Sequence, residues 1–362
     1  MNVLQTFERA YDTYPATETP FLQRQKQRAL RTQPYRELKI LHNVPLTEEV
    51  LFKIEALVAG GADLTVTSPS FMRPKPMALE MLKAAGVKVQ LSHTFKDDFD
   101  ICLDCCGELL GLVTPRIGTA EITRTGAIRY GSHSLSYPVI SVDDSKVKYL
   151  EAVLGTGDAF VRAFQELTGE SIHRRKFMVV GYGKVGQGIV NALIPYTSAI
   201  VIVDSHPGAI EAASKRGFAA IHTRQAAEVE SQAADCFAVV TATGREQAIS
   251  QHFNPRAFKG RYLANMGGED EFGDGFELHE VMCDKQPINF EIAKPTLMKY
   301  LDPVFYAHNL AIDLLKYSNL EPQLHPFPTF LAEEIVAEWE TYFEESLEPA
   351  RLGQASIGNK TR

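Results

Sequence analysis

The sequence predicts an α/β protein built from two doubly wound domains. Short apolar runs alternate with amphipathic segments over residues 38–150 and again over 172–290. Strands that alternate with helices at this spacing form parallel sheets with helices on both faces. A glycine-rich turn opens the first helix of the second region. Together with the length of 362 residues, these observations predict a Rossmann domain over 171–290 and a flavodoxin-like domain formed by 1–170 and 291–362.

The first region contains alternating strands and helices. The apolar run 38–45 is typical of a strand. Residues 47–61 have apolar side chains at helical spacing and end in glycine, and Thr47 is suited to cap the helix N-terminus. The remaining predicted elements are strands at 63–70, 87–92 and 98–106 and a helix at 76–86.

A helix at 158–168, which ends at Gly169, leads into the second region. There the alternation predicts a six-stranded doubly wound sheet. The strands with the clearest signal are 176–181, 199–204, 219–223, 235–244 and 261–268, and the helices between them include 184–194 and 207–217. The C-terminal part returns to helix at 303–317 and 329–347.

The composition is that of a globular chain. Apolar residues make up 45% and charged residues 23%, and no apolar run approaches the ~18 residues that a membrane span needs. A net charge of −8 without basic blocks disfavours nucleic-acid and anionic-membrane partners. The N-terminus lacks the basic and apolar regions of a secretory signal. We therefore expect a cytoplasmic protein whose partner is a small molecule.

The five cysteines do not have the spacing of a secreted disulfide framework. Cys102 and Cys105 form a Cys-x-x-Cys pair, which could indicate zinc or redox chemistry. A structural zinc site needs a second ligand pair, and none follows in the sequence. Since Cys102 lies in an apolar run, we expect core cysteines and no metal site.

The glycine-rich turn is the strongest motif. Gly181, Gly183 and Gly186 form a Gly-x-Gly-x-x-Gly pattern between a strand and a helix, the context in which it indicates dinucleotide binding. Gly181 allows the tight turn, Gly183 lets the backbone approach a pyrophosphate, and Gly186 lets helix and strand pack closely.

The strand after the glycine turn ends at Asp204, 23 residues after Gly181. An acid at this distance hydrogen-bonds the ribose 2′-hydroxyl of a dinucleotide. A carboxylate there would repel a 2′-phosphate, so the sequence favours NAD over NADP. The cofactor residues predicted from this region are Gly181, Gly183, Lys184, Val185, Gly186, Asp204 and Ser205.

Several segments, in order from about 38 to 275, resemble the S-adenosylhomocysteine hydrolase (adenosylhomocysteinase) family. Residues 181–188 read GYGKVGQG where the family has GYGDVGKG, and 118–126, 138–148 and 264–272 resemble three further family motifs. The family oxidises the 3′-hydroxyl of its substrate with tightly held NAD, eliminates a group β to the ketone, adds water and reduces the ketone again. The resemblance implies NAD as cofactor and a homo-oligomer, either a dimer or a tetramer.

Positions that match the family's motifs imply roles for individual residues. His42 and Lys148 match residues of the substrate site and are the candidates for proton transfer, with Glu121 beside them as a third catalytic candidate. The matched cofactor positions are Thr123, Thr125, Thr241, Ala242, Thr243 and Asn265.

The departures from the family fall on groups that hold adenosine or carry out the elimination. Ile122 stands where the family has a glutamate, Arg124 where it has a threonine, and Cys105 where it has the second of two aspartates. Leaving buried polar groups without these partners would cost about 1–3 kcal/mol each, so we expect a substrate other than S-adenosylhomocysteine. A buried Arg124 would indicate an anionic substrate group; a surface salt bridge is the alternative. The predicted substrate residues are Asp104, Arg124, Asp302 and His308.

The sequence thus predicts an NAD-dependent oxidoreductase, or a hydrolase or lyase of adenosylhomocysteinase type. It would oxidise a hydroxyl carbon of a small anionic, nucleoside-like or sugar-like substrate in the cleft between its domains. Two alternatives stay open. One is a dehydrogenase that releases NADH, and the other is a non-catalytic NAD-binding homologue.

Overall fold

A computed structural model describes residues 6–8 and 10–347. The described chain forms two compact units. The first combines the residues up to Leu150 with Met298–Ser346, and the second is Glu151–Leu297. Both units are α/β, which confirms the predicted fold class. None of the described helices is long and apolar enough to cross a membrane.

The strands and helices follow in chain order. The strands are β1 (Lys39–Asn43), β2 (Asp63–Thr67), β3 (Lys88–Val89), β4 (Ile101–Asp104), β5 (Gly118–Glu121), β6 (Val139–Ser141), β7 (Phe177–Val180), β8 (Ile200–Asp204), β9 (Ala219–His222), β10 (Ala238–Thr241), β11 (Tyr262–Asn265) and β12 (Leu324–Pro326). The α-helices are α1 (Ala10–Thr13), α2 (Pro20–Thr32), α3 (Val50–Ala59), α4 (Pro76–Ala84), α5 (Arg124–Gly131), α6 (Val147–Tyr149), α7 (Thr156–Thr168), α8 (Lys184–Leu193), α9 (Pro207–Lys215), α10 (Ala226–Ala234), α11 (Met298–Tyr317) and α12 (Thr329–Phe343).

The first unit contains a seven-stranded sheet in the order β12-β6-β5-β4-β1-β2-β3, with every pair parallel. Without the two-residue edge strand β3, this is the flavodoxin-like order. The strand order reverses between β1 and β4, and such reversal points are where open α/β sheets bind ligands, outside the carboxyl ends of the strands. The adjacent ends here are Asn43 and Asp104.

The second unit contains five parallel strands in the order β11-β10-β7-β8-β9. This is the Rossmann order, and its reversal point lies between β7 and β10. The prediction of six strands was wrong for the described residues. A sixth strand would add beside β11, but Pro287 forms only an isolated bridge there with Asn265, and proline has no N–H to extend a ladder.

The division between the units lies before the predicted boundary at residue 170, because α7 packs tightly on α8. A Cβ added at Gly157 of α7 would overlap the carbonyl of Gly188 in α8, so the two backbones touch where neither residue has a side chain. The second unit also extends beyond 290, and Arg162 Nη1 donates to the Lys294 carbonyl at 2.7 Å.

Two predicted helix starts differ from the structure. The helix expected from Thr47 begins at Val50, and the Thr47 N–H instead donates to the Pro45 carbonyl in a turn. The helix expected from residue 303 begins at Met298 and includes Pro303. Proline removes one hydrogen bond of a helix, and the Lys299 carbonyl that would accept it receives Trp339 Nε1–H at 2.6 Å.

Candidate functional site

The glycine turn lies at the reversal point of the second sheet. Gly181 has a φ of +95°, and a Cβ added there would lie 2.5 Å from the Ala242 carbonyl oxygen in the loop after β10. A Cβ at Gly186 would overlap the Gly181 carbonyl oxygen. Gly183 differs, since no atom lies within 4 Å of an added Cβ. Gly181 and Gly186 are therefore needed for packing, whereas Gly183 faces open space at the N-terminus of α8.

The space before Gly183 fits a dinucleotide pyrophosphate. No side chain caps α8, so its first amides stay available to an anion. Lys184 and Val185 form the first turn of this helix and are partly exposed.

Asp204 ends β8 beside the turn. Its Oδ2 accepts from the Tyr182 N–H at 2.6 Å and its Oδ1 from the His206 N–H at 2.7 Å. These bonds hold the carboxylate in place and leave each oxygen a further lone pair. The carboxylate oxygens could accept hydrogen bonds from the two hydroxyl groups of a ribose, and this role of Asp204 stays a prediction. Ser205 is exposed next to it.

The loop after β10, Thr241 to Thr243, is held by a residue that sequence reasoning missed. Glu271 is fully buried and accepts the Thr243 N–H at 2.8 Å and the Gly244 N–H at 2.6 Å. Burial raises the pKa of this carboxyl, and the two amides oppose the rise. The sequence signal that could have identified Glu271 is the acidic run 269–271 after β11. A carboxylate that is buried next to a strand needs hydrogen-bond donors.

Asn265, a predicted cofactor residue, is hydrogen-bonded on every side by its own chain. Its Nδ2 donates to the carbonyls of Glu269 and Lys285 at 2.7 and 2.8 Å. Its Oδ1 accepts from the Gly267 N–H at 3.0 Å and the Thr241 hydroxyl at 3.2 Å. The side chain is 1% exposed, so its amide fixes the segment that carries Glu271.

At the reversal point of the first sheet, Asp104 is fully buried among donors. It accepts from Asn43 Nδ2 at 2.9 Å, from the Tyr130 hydroxyl at 2.7 Å and from the Leu109 N–H at 3.0 Å. Burial raises its pKa to about 6. Since Asp104 has these internal partners, it organises the sheet edge, and a direct substrate contact stays a prediction.

Glu121, predicted as catalytic, is likewise engaged by the chain itself. It accepts from the N–H groups of Gly107 and Thr123 at 3.0 and 2.7 Å and from the Thr123 hydroxyl at 2.6 Å. A Cβ added at Gly126 would overlap the carboxyl group. Burial, followed by the charge of Asp104, raises its pKa well above the ordinary value. The enclosed carboxyl thus acts as a structural clamp on its own chain, and a catalytic role for Glu121 stays a prediction.

Residues 123–125 lead from this carboxyl into helix α5. Thr123 caps α5 and accepts from the Gly126 N–H at 3.2 Å. Arg124 is exposed on the first turn of α5, which agrees with the alternative of a surface position, and Thr125 is partly exposed.

His42 is the least satisfied polar group of the first unit. It is fully buried, and neither ring nitrogen has a hydrogen-bond partner among the described residues. Burial, and then the charges of Lys53 and His308, lower its pKa well below the ordinary value. The ring is therefore neutral near pH 7 and has one unprotonated nitrogen.

His308 connects His42 with Lys148. Its Nε2 pairs with the Ala120 carbonyl at 2.9 Å, and burial, Lys53 and Lys148 lower its pKa well below the ordinary value. Lys148 is 6% exposed. Sequence reasoning missed Lys53, which is fully buried and donates to Asn309 Oδ1 at 2.7 Å. His42 and His308 thus feel the charge of the same Lys53, and His308 also feels that of Lys148.

Asp302, predicted as a substrate residue, is bonded by the chain itself. It is fully buried, and its two oxygens accept the Phe21 and Leu22 N–H groups at 2.8 and 2.9 Å. It therefore satisfies the first amides of α2 from outside that helix. No group of three or more His, Cys, Asp or Glu side chains in the described ranges could hold a metal ion.

Adenosylhomocysteinases are similar in sequence to this chain. Adenosylhomocysteinase from Sulfolobus acidocaldarius is 29% identical over 252 residues, which cover 63% of this chain and 59% of that protein. Adenosylhomocysteinase from Pyrococcus abyssi is 24% identical over 362 residues, covering 85% of this chain and 84% of that protein. These similarities support a divergent member of the adenosylhomocysteinase family.

Two further comparisons concern the second unit and the fold. Residues 177–250 match the model of the TrkA-N domain. With the glycine turn and Asp204, this identifies the second unit as an NAD(H)-binding domain. Among solved structures, a dipicolinate synthase chain from Bacillus halodurans aligns at 10% identity with a TM-score of 0.45, over 76% of this chain and 97% of that chain.

Within the family, another relative has a different printed substrate. S-inosyl-L-homocysteine hydrolase from Methanopyrus kandleri is 27% identical over 277 residues, covering 69% of this chain and 64% of that protein. Relatives at this distance are thus named for more than one substrate.

Proposed function

We propose that this chain uses NAD to oxidise a hydroxyl-bearing carbon of a small substrate other than S-adenosylhomocysteine. The observation that carries the proposal is a contrast between the two units. The glycine turn is open at Gly183 and flanked by a fixed Asp204 carboxylate. At the sheet edge of the first unit, by contrast, Asp104 and Glu121 accept hydrogen bonds from their own chain. The residues expected to bind the cofactor thus follow the family's pattern, whereas those expected to bind the substrate depart from it.

His42 and Lys148 are the proposed proton-transfer groups. NAD, when bound, accepts a hydride from the hydroxyl-bearing carbon. A neutral His42 ring has an unprotonated nitrogen for the hydroxyl proton, and its pKa below the ordinary value keeps it neutral at pH 7. Lys148 is near enough to His308 for its charge to lower the pKa of that histidine, and His308 in turn affects His42. The substrate class we propose is a nucleoside-like, sugar-like or anionic hydroxyl compound.

A spectroscopic assay of the purified, NAD-loaded chain tests this proposal. Nucleosides, sugars and hydroxy acids are added in turn, and the absorbance of reduced nicotinamide is followed. With the right substrate we expect at most one reduced nicotinamide per chain, because NAD is recycled. His42→Ala and Lys148→Ala should abolish the signal while NAD still binds.

Two exposed residues provide matched controls. His133 and Lys146 are exposed, and their alanine variants should keep the signal. NADH that accumulates beyond the protein concentration would establish a dehydrogenase instead. Unchanged turnover in both His42→Ala and Lys148→Ala would refute the assignment of the catalytic residues. If every compound left bound NAD unreduced, the non-catalytic alternative would stand.

We also propose a homo-oligomer, a dimer or a tetramer, on the strength of the family membership. Light scattering of the purified chain tests this, and a monomeric mass at micromolar concentration would overturn it.

A further inference from the structure

Two adjacent cysteines follow β4 at the edge of the first sheet. Cys105 is buried and Cys106 is partly exposed. Their Sγ atoms lie 3.9 Å apart. Cys106 has a φ of +63°, a conformation that is uncommon outside glycine. The pair therefore combines a partly exposed cysteine with a buried one next to it.

The backbone of this pair is held in place on several sides. The Cys105 N–H donates to Asp104 Oδ1 at 2.8 Å, and the Cys106 N–H donates to the Thr123 hydroxyl oxygen at 2.8 Å. The Cys106 carbonyl accepts from Arg129 Nη1 at 2.9 Å. These contacts keep the strained φ of Cys106 and fix the separation of the two thiols.

The thiols of the chain differ in acidity. A hydrogen bond from the Cys105 thiol, helped by Thr123, lowers the pKa of Cys106 despite its partial burial. Burial raises the pKa of Cys102, Cys236 and Cys283, and the bond to Cys106 together with burial raises that of Cys105. The thiolate is the nucleophilic form, so Cys106 is the most reactive of the five.

We propose that Cys106 is a peroxide-reactive thiol and that Cys105 resolves it as a disulfide. An accessible, activated thiol beside a resolving cysteine is the usual arrangement of a redox-sensing pair. The Cys106 thiol first releases its proton to solvent. The thiolate attacks a hydroperoxide, so an S–O bond forms and the O–O bond breaks; with hydrogen peroxide the leaving hydroxide takes up that proton and becomes one water. The Cys105 sulfur then attacks Cys106 Sγ, which forms the S–S bond and releases the hydroxyl as a second water. Two thiols are oxidised and one peroxide is reduced.

The disulfide would be strained and therefore reversible. Adjacent Cα atoms across a trans peptide are about 3.8 Å apart, whereas disulfides usually join Cα atoms at least about 4.4 Å apart. Strained disulfides are the more easily reduced ones. Closing the bond must also move Cys106 relative to Thr123 and Arg129, which loosens the enclosure of Glu121.

Intact-mass spectrometry of the full chain, treated with hydrogen peroxide, tests the proposal. We expect a loss of two hydrogen atoms, mapped to the peptide that contains both cysteines and reversed by dithiothreitol. In Cys105→Ser the sulfenic acid should persist on Cys106 and be trapped by dimedone. In Cys106→Ser the loss should disappear.

Cys236→Ser and Cys283→Ser are the matched controls, and both should keep the two-hydrogen loss. Circular dichroism on each variant identifies any that fails to fold, and dimedone trapping on the wild-type chain at short times gives an independent readout. A disulfide to any other cysteine, dimedone labelling first at Cys236 or Cys283, or no oxidation before unfolding would overturn the proposal.

Discussion

Asp204 is the residue on which the choice of dinucleotide depends. Its carboxylate is fixed by the Tyr182 and His206 amides and has lone pairs left for two ribose hydroxyls. Asp204→Ala should therefore weaken NAD binding by about tenfold or more, since a charged hydrogen bond contributes about 1.5–3 kcal/mol. Calorimetric titration measures the change. Asp235→Ala, at an exposed position of the same unit, should bind NAD as the wild type does. Equal NAD affinity in Asp204→Ala would contradict this role.

His42 also makes stability depend on pH. Its folded-state pKa is depressed, so the unfolded chain binds more protons than the folded chain below the unfolded value of about 6.5. The stability that the neutral ring contributes is present above that pH and is lost as the pH falls below it. Urea unfolding at pH 7.5 and 5.5 should show a smaller loss in His42→Gln than in the wild type.

The wild type must be compared with the variant because buried acids change the free energy of unfolding with pH in the opposite direction. Burial raises the pKa of Asp302 to about 8, which adds stability as the pH falls toward the ordinary carboxyl value. Exposed His133 is the control, and His133→Gln should follow the wild type. An identical pH dependence in His42→Gln and the wild type would show that the ring is not held neutral.

At the scale of elements, the glycines of the turn serve two purposes: one allows close packing and another leaves space for the cofactor. Gly186 is packed against the Gly181 carbonyl, whereas Gly183 faces open space. Gly186→Ala should therefore lower the free energy of unfolding. Gly183→Ala should leave it unchanged within about 0.5 kcal/mol but weaken NAD binding at least tenfold, because the added methyl group occupies the place of the pyrophosphate. Thermal melts and NAD titrations of both variants check this. Full NAD affinity in Gly183→Ala would place the cofactor elsewhere.

Helix α2 depends on a cap supplied from α11. Asp302 accepts its first two free amides from a position 281 residues away in the sequence. Loss of such a cap costs about 1–2 kcal/mol, so Asp302→Ala should lower the unfolding free energy by at least that amount in chemical denaturation. NAD affinity should stay unchanged, since the cofactor residues belong to the second unit. A stable variant that has lost NAD binding would point to a cofactor role instead.

For the whole molecule, the sequence was most informative where structure is local. Short apolar runs predicted β1, β4, β7 and β8, and the glycine spacing predicted the cofactor turn. Strands β5, β6 and β12 escaped prediction because they have few apolar residues, with the sequences GTAE, VIS and LHP. Their place in the sheet depends on pairing with neighbouring strands.

The substrate-side roles were harder to predict because they depend on distant partners. The sequence shows Glu121 and Asp302 as acids near expected site positions. Only the fold shows that backbone amides enclose both. The same limit applies to Glu271 and Lys53, whose partners lie 28 and 256 residues away.

One assay can measure both whether the chain binds NAD and whether it hydrolyses S-adenosylhomocysteine. NAD-loaded full-length chain is incubated with S-adenosylhomocysteine, and bound NAD and released homocysteine are quantified in the same sample. We predict one NAD per chain and no homocysteine above the protein-free control. Homocysteine released over many turnovers would contradict our proposal of a substrate other than S-adenosylhomocysteine. A chain that holds no NAD would contradict the assignment of the second unit to NAD binding.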